Sequence, residues 1–311
     1  MKKFFFIIIL FFSCFSYAQE KLTVLLDWFP NAGHAPLFVA LDQGFFSEQG
    51  LQVDLIGPAN PADPPKLVAA GKADIAITYQ PQHIEHVNQG LPLIRMGTLV
   101  NEPLDCLVAL KSSGINSISD LKNKRIGYSA GSMHSVALQT MLKSQGLTLK
   151  DVELVNVNYS LTQALLSQKV DAVTGMMRTF ETVQLEIMNK PFTMFFPEKF
   201  GVPTYSELIF VVHKTKINDP RFPKFLKALK KGRDYLIQYP ETSWIRFVKN
   251  HPELNDKINH RAWFVYLPYF AKDPFIYHAK EWQTFIQFMY DNKLIQNILP
   301  LQNYTIELKK D

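Results

Sequence analysis

Cysteine is nearly absent: the 311 residues hold two, Cys14 and Cys106. Cys14 falls in a cleavable leader, and one remaining thiol can close no internal disulfide and build no thiolate metal cluster. Cys106 lies in the apolar run Cys106-Leu-Val-Ala-Leu and reads as a small buried hydrophobe. No stretch reaches the ~18 unbroken apolar residues of a spanning helix. Basic residues are dispersed, and the net charge of +5 forms no stripe of the kind a nucleic-acid footprint needs, so no nucleic-acid partner is expected. Gly-x-Ser-x-Gly, P-loop and dinucleotide fingerprints are missing as well, which removes the commonest signatures of hydrolases and nucleotide enzymes.

What is present begins with a secretory leader over residues 1–18. Lys2-Lys3 precedes an apolar core from Phe4 to Phe12, and Ser16-Tyr17-Ala18 is a small-x-small cleavage site. The leader implies a periplasmic or secreted protein. Phe11-Phe12-Ser13 fits a lipid-attachment box poorly, so a lipid anchor at Cys14 is not expected.

The chain is organised around residues 22–89. The apolar run Leu22-Thr-Val-Leu-Leu-Asp27 has strand character and stops before a loop holding Trp28, Pro30, Asn31 and Gly33. Pro36 is placed to open a helix, since its missing N–H costs nothing in a first turn. Ile75-Ala-Ile is a second short strand, ending in Thr78-Tyr79-Gln80 before Pro81 opens another helix. Two strand ends thus deliver an indole, a phenol and several amides to one edge of a parallel sheet. Open α/β sheets bind small molecules at that edge.

Further on, Gln52 to Ile56 alternates as a strand, and Leu93-Ile-Arg-Met reads as another. Leu104 to Leu110 is a crossing strand between lobes. A second unit follows with Arg125 to Ser129 as strand, Ala130-Gly131-Ser132 as a small-residue turn and Met133 to Gln145 as an amphipathic helix. A helix leading into Gly71-Lys-Ala-Asp74 is echoed by one leading into Gln168-Lys-Val-Asp171, about a hundred residues later. The echo is either chance or the mark of two similarly built lobes facing one cleft. Leu208 to His213 returns the chain to the first lobe, and the helical pattern from Pro220 reads as packing for it. The expected division is 19–106 with 208–311 as the first lobe and 107–207 as the second.

Several of these segments together resemble the substrate-binding proteins for thiamine-pyrimidine uptake, a group within the family shared with the yeast thiamine-pyrimidine synthase. They are Leu26-Asp-Trp-Phe-Pro-Asn31, Gly44-Phe-Phe, Gly50-Leu51, Asn60 to Pro64, Ala69 to Asp74 and Tyr79-Gln-Pro-Gln82. Gly97-Thr-Leu-Val, Asn156-Val-Asn158 and Phe200-Gly-Val-Pro203 belong with them. The resemblance implies an α/β, two-lobed periplasmic-binding-protein fold of the second type, each lobe a mostly parallel sheet flanked by helices. It also implies an ABC transporter permease at the inner membrane as partner. The implied ligand is hydroxymethylpyrimidine or a formylated aminomethylpyrimidine.

The alternative within that family is the synthase, which looks as if it uses its own histidine, a lysine-bound pyridoxal phosphate and iron beside a cysteine-rich run. Here Thr78 stands where the lysine would be, Gln82 stands for the histidine, and Val202 to Ser206 contains no cysteine. Without an amine there is no Schiff base. The expectation is therefore a binder with no cofactor and no catalytic residue.

An aminopyrimidine offers a π-face, ring-nitrogen acceptors and an amine donor. Trp28 and Tyr79 are the rings expected to sandwich it, with core packing the plain alternative for each. Asn31, Gln80 and Gln82 could read the amine and ring-nitrogen edge. Glu207 or Glu181 could take the amine, and Ser129, Gly131 and Ser132 would close from the second lobe. His34 is a pocket residue or a helix cap, and Arg178 and Asn158 hold the hinge or lobe edge. His83 and His86, three apart on one helix, have no indicated third ligand, so no metal is expected. A riboflavin-like or other aromatic ligand remains open.

Overall fold

The computed structural model describes residues 19–129, 132–158 and 160–309. The leader with Cys14, and Gly131, lie outside the described residues. In chain order, β1 (Glu20–Leu25), β2 (Leu51–Ile56), β3 (Ile75–Thr78) and β4 (Leu93–Val100) belong to one sheet. β5 (Asp105–Leu110), β6 (Arg125–Tyr128), β7 (Glu153–Asn156), β8 (Ala172–Met177) and β9 (Phe192–Phe195) form a second, and β10 (Leu208–His213) returns to the first.

The sheet orders are β2-β1-β3-β10-β4 and β7-β6-β8-β5-β9. One strand runs against its neighbours in each: β10 against β3 and β4, and β5 against β8 and β9. The two sheets are therefore the same design used twice. The echoed turns confirm this at the level of atoms. Asp74 Oδ2 accepts from the backbone N of Thr23 at 2.9 Å, and Asp171 Oδ2 accepts from the backbone N of Arg125 at 2.8 Å. Each aspartate ties the turn before its strand to the neighbouring parallel strand, and each also holds an arginine, Arg221 or Arg125. The turns reach left-handed backbone through Gly71 at φ 72° and Gln168 at φ 57°. Glycine adopts that conformation freely and glutamine only at a cost.

Leu104 to Leu110 is not a crossing strand. It is almost wholly β5, a strand inside the second sheet paired on both sides, with Cys106 to Ala109 fully buried. Apolar residues on both faces suit an interior strand of a helix-covered sheet. Burial pushes the Cys106 thiol well above its ordinary range. The crossings fall instead just before Leu104 and in the segment leading to β10.

The C-terminal helices close the first lobe. Phe222, Phe225, Leu226 and Leu229 of the helix Arg221–Gln238 are buried against the helix Ala35–Asp42. Gly232 permits the approach, because a Cβ there would run into the Pro36 carbonyl. Arg95, fully buried on β4, fastens the end of the chain. Its guanidinium donates to the carbonyls of Ile276 at 2.8 Å and Ile306 at 3.2 Å and to Thr98 Oγ1 at 2.7 Å. Burial lowers its pKa to about 9.

Candidate functional site

β1 runs parallel to β3 and β6 to β8, so within each sheet these strands end on the same side. After Leu26 makes the last sheet-like bond, to the Ile56 carbonyl, Asp27 turns in and is only 6% exposed. Asn31, extended at φ −157°, caps the short turn Ala32–His34: its Oδ1 accepts from Gly33 N at 2.7 Å while its amide donates to the Phe29 carbonyl at 2.8 Å. That turn, followed by Pro36 in the first turn of Ala35–Asp42, delivers His34 inward with no exposure. His34 Nε2 lies 2.8 Å from Asp27 Oδ1, and the Tyr79 hydroxyl donates to Asp27 Oδ2 at 2.8 Å.

Burial alone would raise the Asp27 carboxyl, but the hydrogen bond and charge of His34 and the bond from Tyr79 together hold it below its ordinary value. Tyr79 moves the other way. Burial first, and then the nearby carboxylates of Asp27 and Glu207, push its phenol well above the usual range. At neutral pH this gives an ionised carboxylate accepting a hydrogen bond from a neutral phenol. The carboxylate uses both oxygens, and the His34 Nδ1 is buried without a hydrogen-bond partner.

Glu207 belongs to the same neighbourhood and to the connection between lobes. Its Oε2 accepts from the backbone N of Leu104 at 2.7 Å, so one crossing segment is tied to the other. Gln80 reinforces this, its Oε1 accepting from Ser206 N at 2.9 Å, and Ser206 Oγ reaches Asn101 Oδ1 at 3.1 Å. Arg178, immediately after β8, pairs with Glu198 through both guanidinium nitrogens at 2.9 and 3.1 Å. It also donates to the Asp105 carbonyl and lies 4.4 Å from the centre of the Phe196 ring.

The residues expected at the site thus divide. His34, Tyr79 and Glu207 are brought together, around Asp27, which is not among them. Trp28 lies at the rim, 43% exposed, edge-on to the 61% exposed Phe29 with ring centres 5.7 Å apart. Asn31 spends its carboxamide on its own loop. Gln80 is buried against the crossing segment, and Gln82 accepts from Thr78 Oγ1 at 2.7 Å. Glu181 accepts from Met177 N at 2.8 Å, and burial raises its carboxyl above the usual range. Ser129, half-buried, follows β6 in the second lobe, and Ser132 is the first residue of the helix Ser132–Lys143. Asn158 holds a left-handed backbone at φ 50°, its N bonded to Asn156 Oδ1. His83 is occupied with the Tyr304 carbonyl at 2.7 Å, and burial brings its pKa to about 4.

Sequence reasoning missed Asp27 as the hub, although it is the single charge at the end of an apolar strand, and that was its signal. It also missed Tyr266, the last residue of the helix Lys257–Tyr266. Tyr266 packs on Gly33, in the loop that carries Trp28 and Asn31.

Thr78 and Gln82 bond to each other and present neither an amine nor an imidazole. Among the described residues no three of His, Cys, Asp and Glu gather as a metal-ligand set.

A family profile described as "NMT1/THI5 like" matches residues 31–243. A provisionally named thiamine biosynthesis protein of Haemophilus influenzae is 45% identical, over 94% of each chain. The formylaminopyrimidine-binding protein of Halalkalibacterium halodurans is 31% identical over 76% of this chain and 73% of its own. A 4-amino-5-hydroxymethyl-2-methylpyrimidine phosphate synthase of Saccharomyces cerevisiae is 28% identical over 93% and 88%. Among solved structures, the periplasmic aliphatic sulphonate binding protein of Escherichia coli superposes with a TM-score of 0.71, covering 89% of this chain and 94% of that one at 14% identity. The two-lobed α/β architecture is that of the type II periplasmic binding proteins.

Proposed function

This chain belongs to the NMT1/THI5-like family, and on that premise we propose that it is the extracytoplasmic solute-binding protein of an ABC importer. Its cargo is an aminopyrimidine precursor of thiamine, hydroxymethylpyrimidine or its N-formyl-aminomethyl relative. The protein works in the periplasm and hands its ligand to a permease in the inner membrane.

The observation that carries this reading is the side-chain cluster around Asp27 on the first lobe. A carboxylate fixed by Tyr79 and His34 is followed directly in the chain by a half-exposed indole. The carboxylates of Asp27 and Glu207 and the phenol of Tyr79 suit a flat ligand bearing an amine donor and ring-nitrogen acceptors. Trp28 supplies a π-face at the rim. The 31% identical formylaminopyrimidine-binding protein supports the same ligand class.

The second reading is the synthase, favoured by the 28% identical yeast relative. The bonded pair Thr78 and Gln82 stands against it, because neither side chain supplies the amine or the imidazole that chemistry requires.

Native mass spectrometry of the protein purified from its own periplasm tests the proposal. A retained small molecule with the mass of an aminopyrimidine is expected. Retention of a sulphonate or another anionic solute would overturn it.

A further inference from the structure

The helix Lys257–Tyr266 lies in the C-terminal region, yet it touches both lobes. Its last residue is 7% exposed and packs against the loop that carries Trp28 and Asn31. A Cβ on Gly33 would stand 3.2 and 3.3 Å from the Tyr266 ring carbons Cε1 and Cζ, so glycine there lets the phenol lie directly on the loop backbone. The same helix also meets the second lobe. It packs against the helix Glu181–Ile187, where Arg261 Nε lies 3.1 Å from Glu186 Oε2.

The Tyr266 ring is fixed from behind by Phe270, stacked with centres 6.0 Å apart and planes 21° from parallel. Its hydroxyl end faces a different environment. Burial raises the phenol pKa, the neighbouring Thr179 hydroxyl offsets this, and the carboxylates of Asp27, Glu207 and Glu181 raise it further. Those three carboxylates come from the end of β1, from the crossing segment and from the second lobe. Cζ, the ring carbon that bears the hydroxyl, is one of the two that lie over Gly33, so the hydroxyl end of the ring is at the loop that carries Trp28 and Asn31.

We propose that Tyr266 is a ligand-contacting residue, forming the wall of the cleft opposite Tyr79, and that the helix Lys257–Tyr266 joins the two lobes around the bound molecule. This rests on the solute-binding reading and adds a contact from outside the two sheets. A neutral phenol both donates and accepts, so it suits an amine or a ring nitrogen. Its place at the end of an interlobe helix links occupancy of the cleft to the position of the second lobe.

The test uses titration calorimetry with 4-amino-5-hydroxymethyl-2-methylpyrimidine on the wild-type chain and on Tyr266→Phe, with thermal melts of both free proteins. The phenylalanine variant should keep its melting midpoint and lose about ten-fold in affinity, the loss of one hydrogen bond to the ligand. Affinity within two-fold of wild type would overturn the assignment. If the wild-type chain binds neither this pyrimidine nor its N-formyl-aminomethyl relative, the proposed ligand class itself falls, which is a different outcome. Hydrogen exchange on the wild-type protein is a second readout that needs no variant. Ligand should protect the peptide spanning 257–266 together with the loop 27–34, while the helix Ala279–Asp291 stays unchanged. Protection of the loop without the helix would overturn the proposal even if Tyr266→Phe does not fold.

Discussion

The Tyr79 hydroxyl donates to Asp27 Oδ2 at 2.8 Å, joining the ends of two parallel strands 52 residues apart in sequence. His34 occupies the other carboxylate oxygen at the same distance. One side chain thereby fixes the phenol, the imidazole and the loop between them, and the rim tryptophan is carried by that loop.

Replacing Asp27 with asparagine should therefore damage both stability and binding. Asparagine keeps one acceptor but faces His34 or Tyr79 with an amide donor, leaving a buried group mispaired. Such a group costs about 1–3 kcal/mol. A denaturant melt should show that loss, and calorimetry should show weaker ligand binding in the same variant. An unchanged melt would mean that Asp27 does not organise this cluster.

The same carboxylate gives a pH dependence. Its folded-state pKa lies below the ordinary value of 3.8, so its ionised form favours the folded state. That contribution is complete above the unfolded pKa and is lost as pH falls through the folded one. Melting midpoints followed downward from pH 5 should drop less steeply between pH 4 and pH 2.5 in Asp27→Asn than in the wild type. Parallel curves would remove Asp27 from the acid transition.

Trp28→Ala separates rim from core. At 43% exposure the indole contributes little to folding, so stability should change by less than about 1 kcal/mol. Affinity for the pyrimidine should fall by about 2–4 kcal/mol if the ring stacks on it, as buried aromatic anchors do. Full affinity would move the stacking role to Tyr79.

Arg178→Ala probes the second lobe independently of the ligand. The variant loses a two-pronged pair with Glu198, a bond to the Asp105 carbonyl and the packing of its guanidinium on Phe196. A loss of about 2–3 kcal/mol is expected, set by hydrogen bonds to a charged group that is itself buried. A change within 0.5 kcal/mol, the scale of an ordinary surface substitution, would show that the pair is not structural.

Much of this could be read from the chain itself, and the reasons are local. The apolar run ending at Asp27, the prolines at 36 and 81 and the echoed Lys-x-Asp turns each fix backbone by short-range chemistry. β1, β3, β10 and the helices after the two strand ends accordingly lie where the pattern places them. What the pattern could not show is how the amides are engaged. Asn31 and Gln82 bond within their own loop and helix turn, two and four residues away, while Gln80 accepts from Ser206 N, a partner that only folding brings near. Tyr266 shares a helix face with Ala262 and Trp263 and reads as core. Nothing nearby in sequence announces that it rests on Gly33.

Titration calorimetry with 4-amino-5-hydroxymethyl-2-methylpyrimidine, followed by intact-mass measurement of the recovered protein and ligand, tests the binding reading most directly. The protein should bind one equivalent reversibly, and both partners should return with unchanged mass, including after incubation with pyridoxal phosphate, iron and oxygen. Absence of binding, or a pyrimidine product formed at the expense of the protein's own side chains, would contradict it.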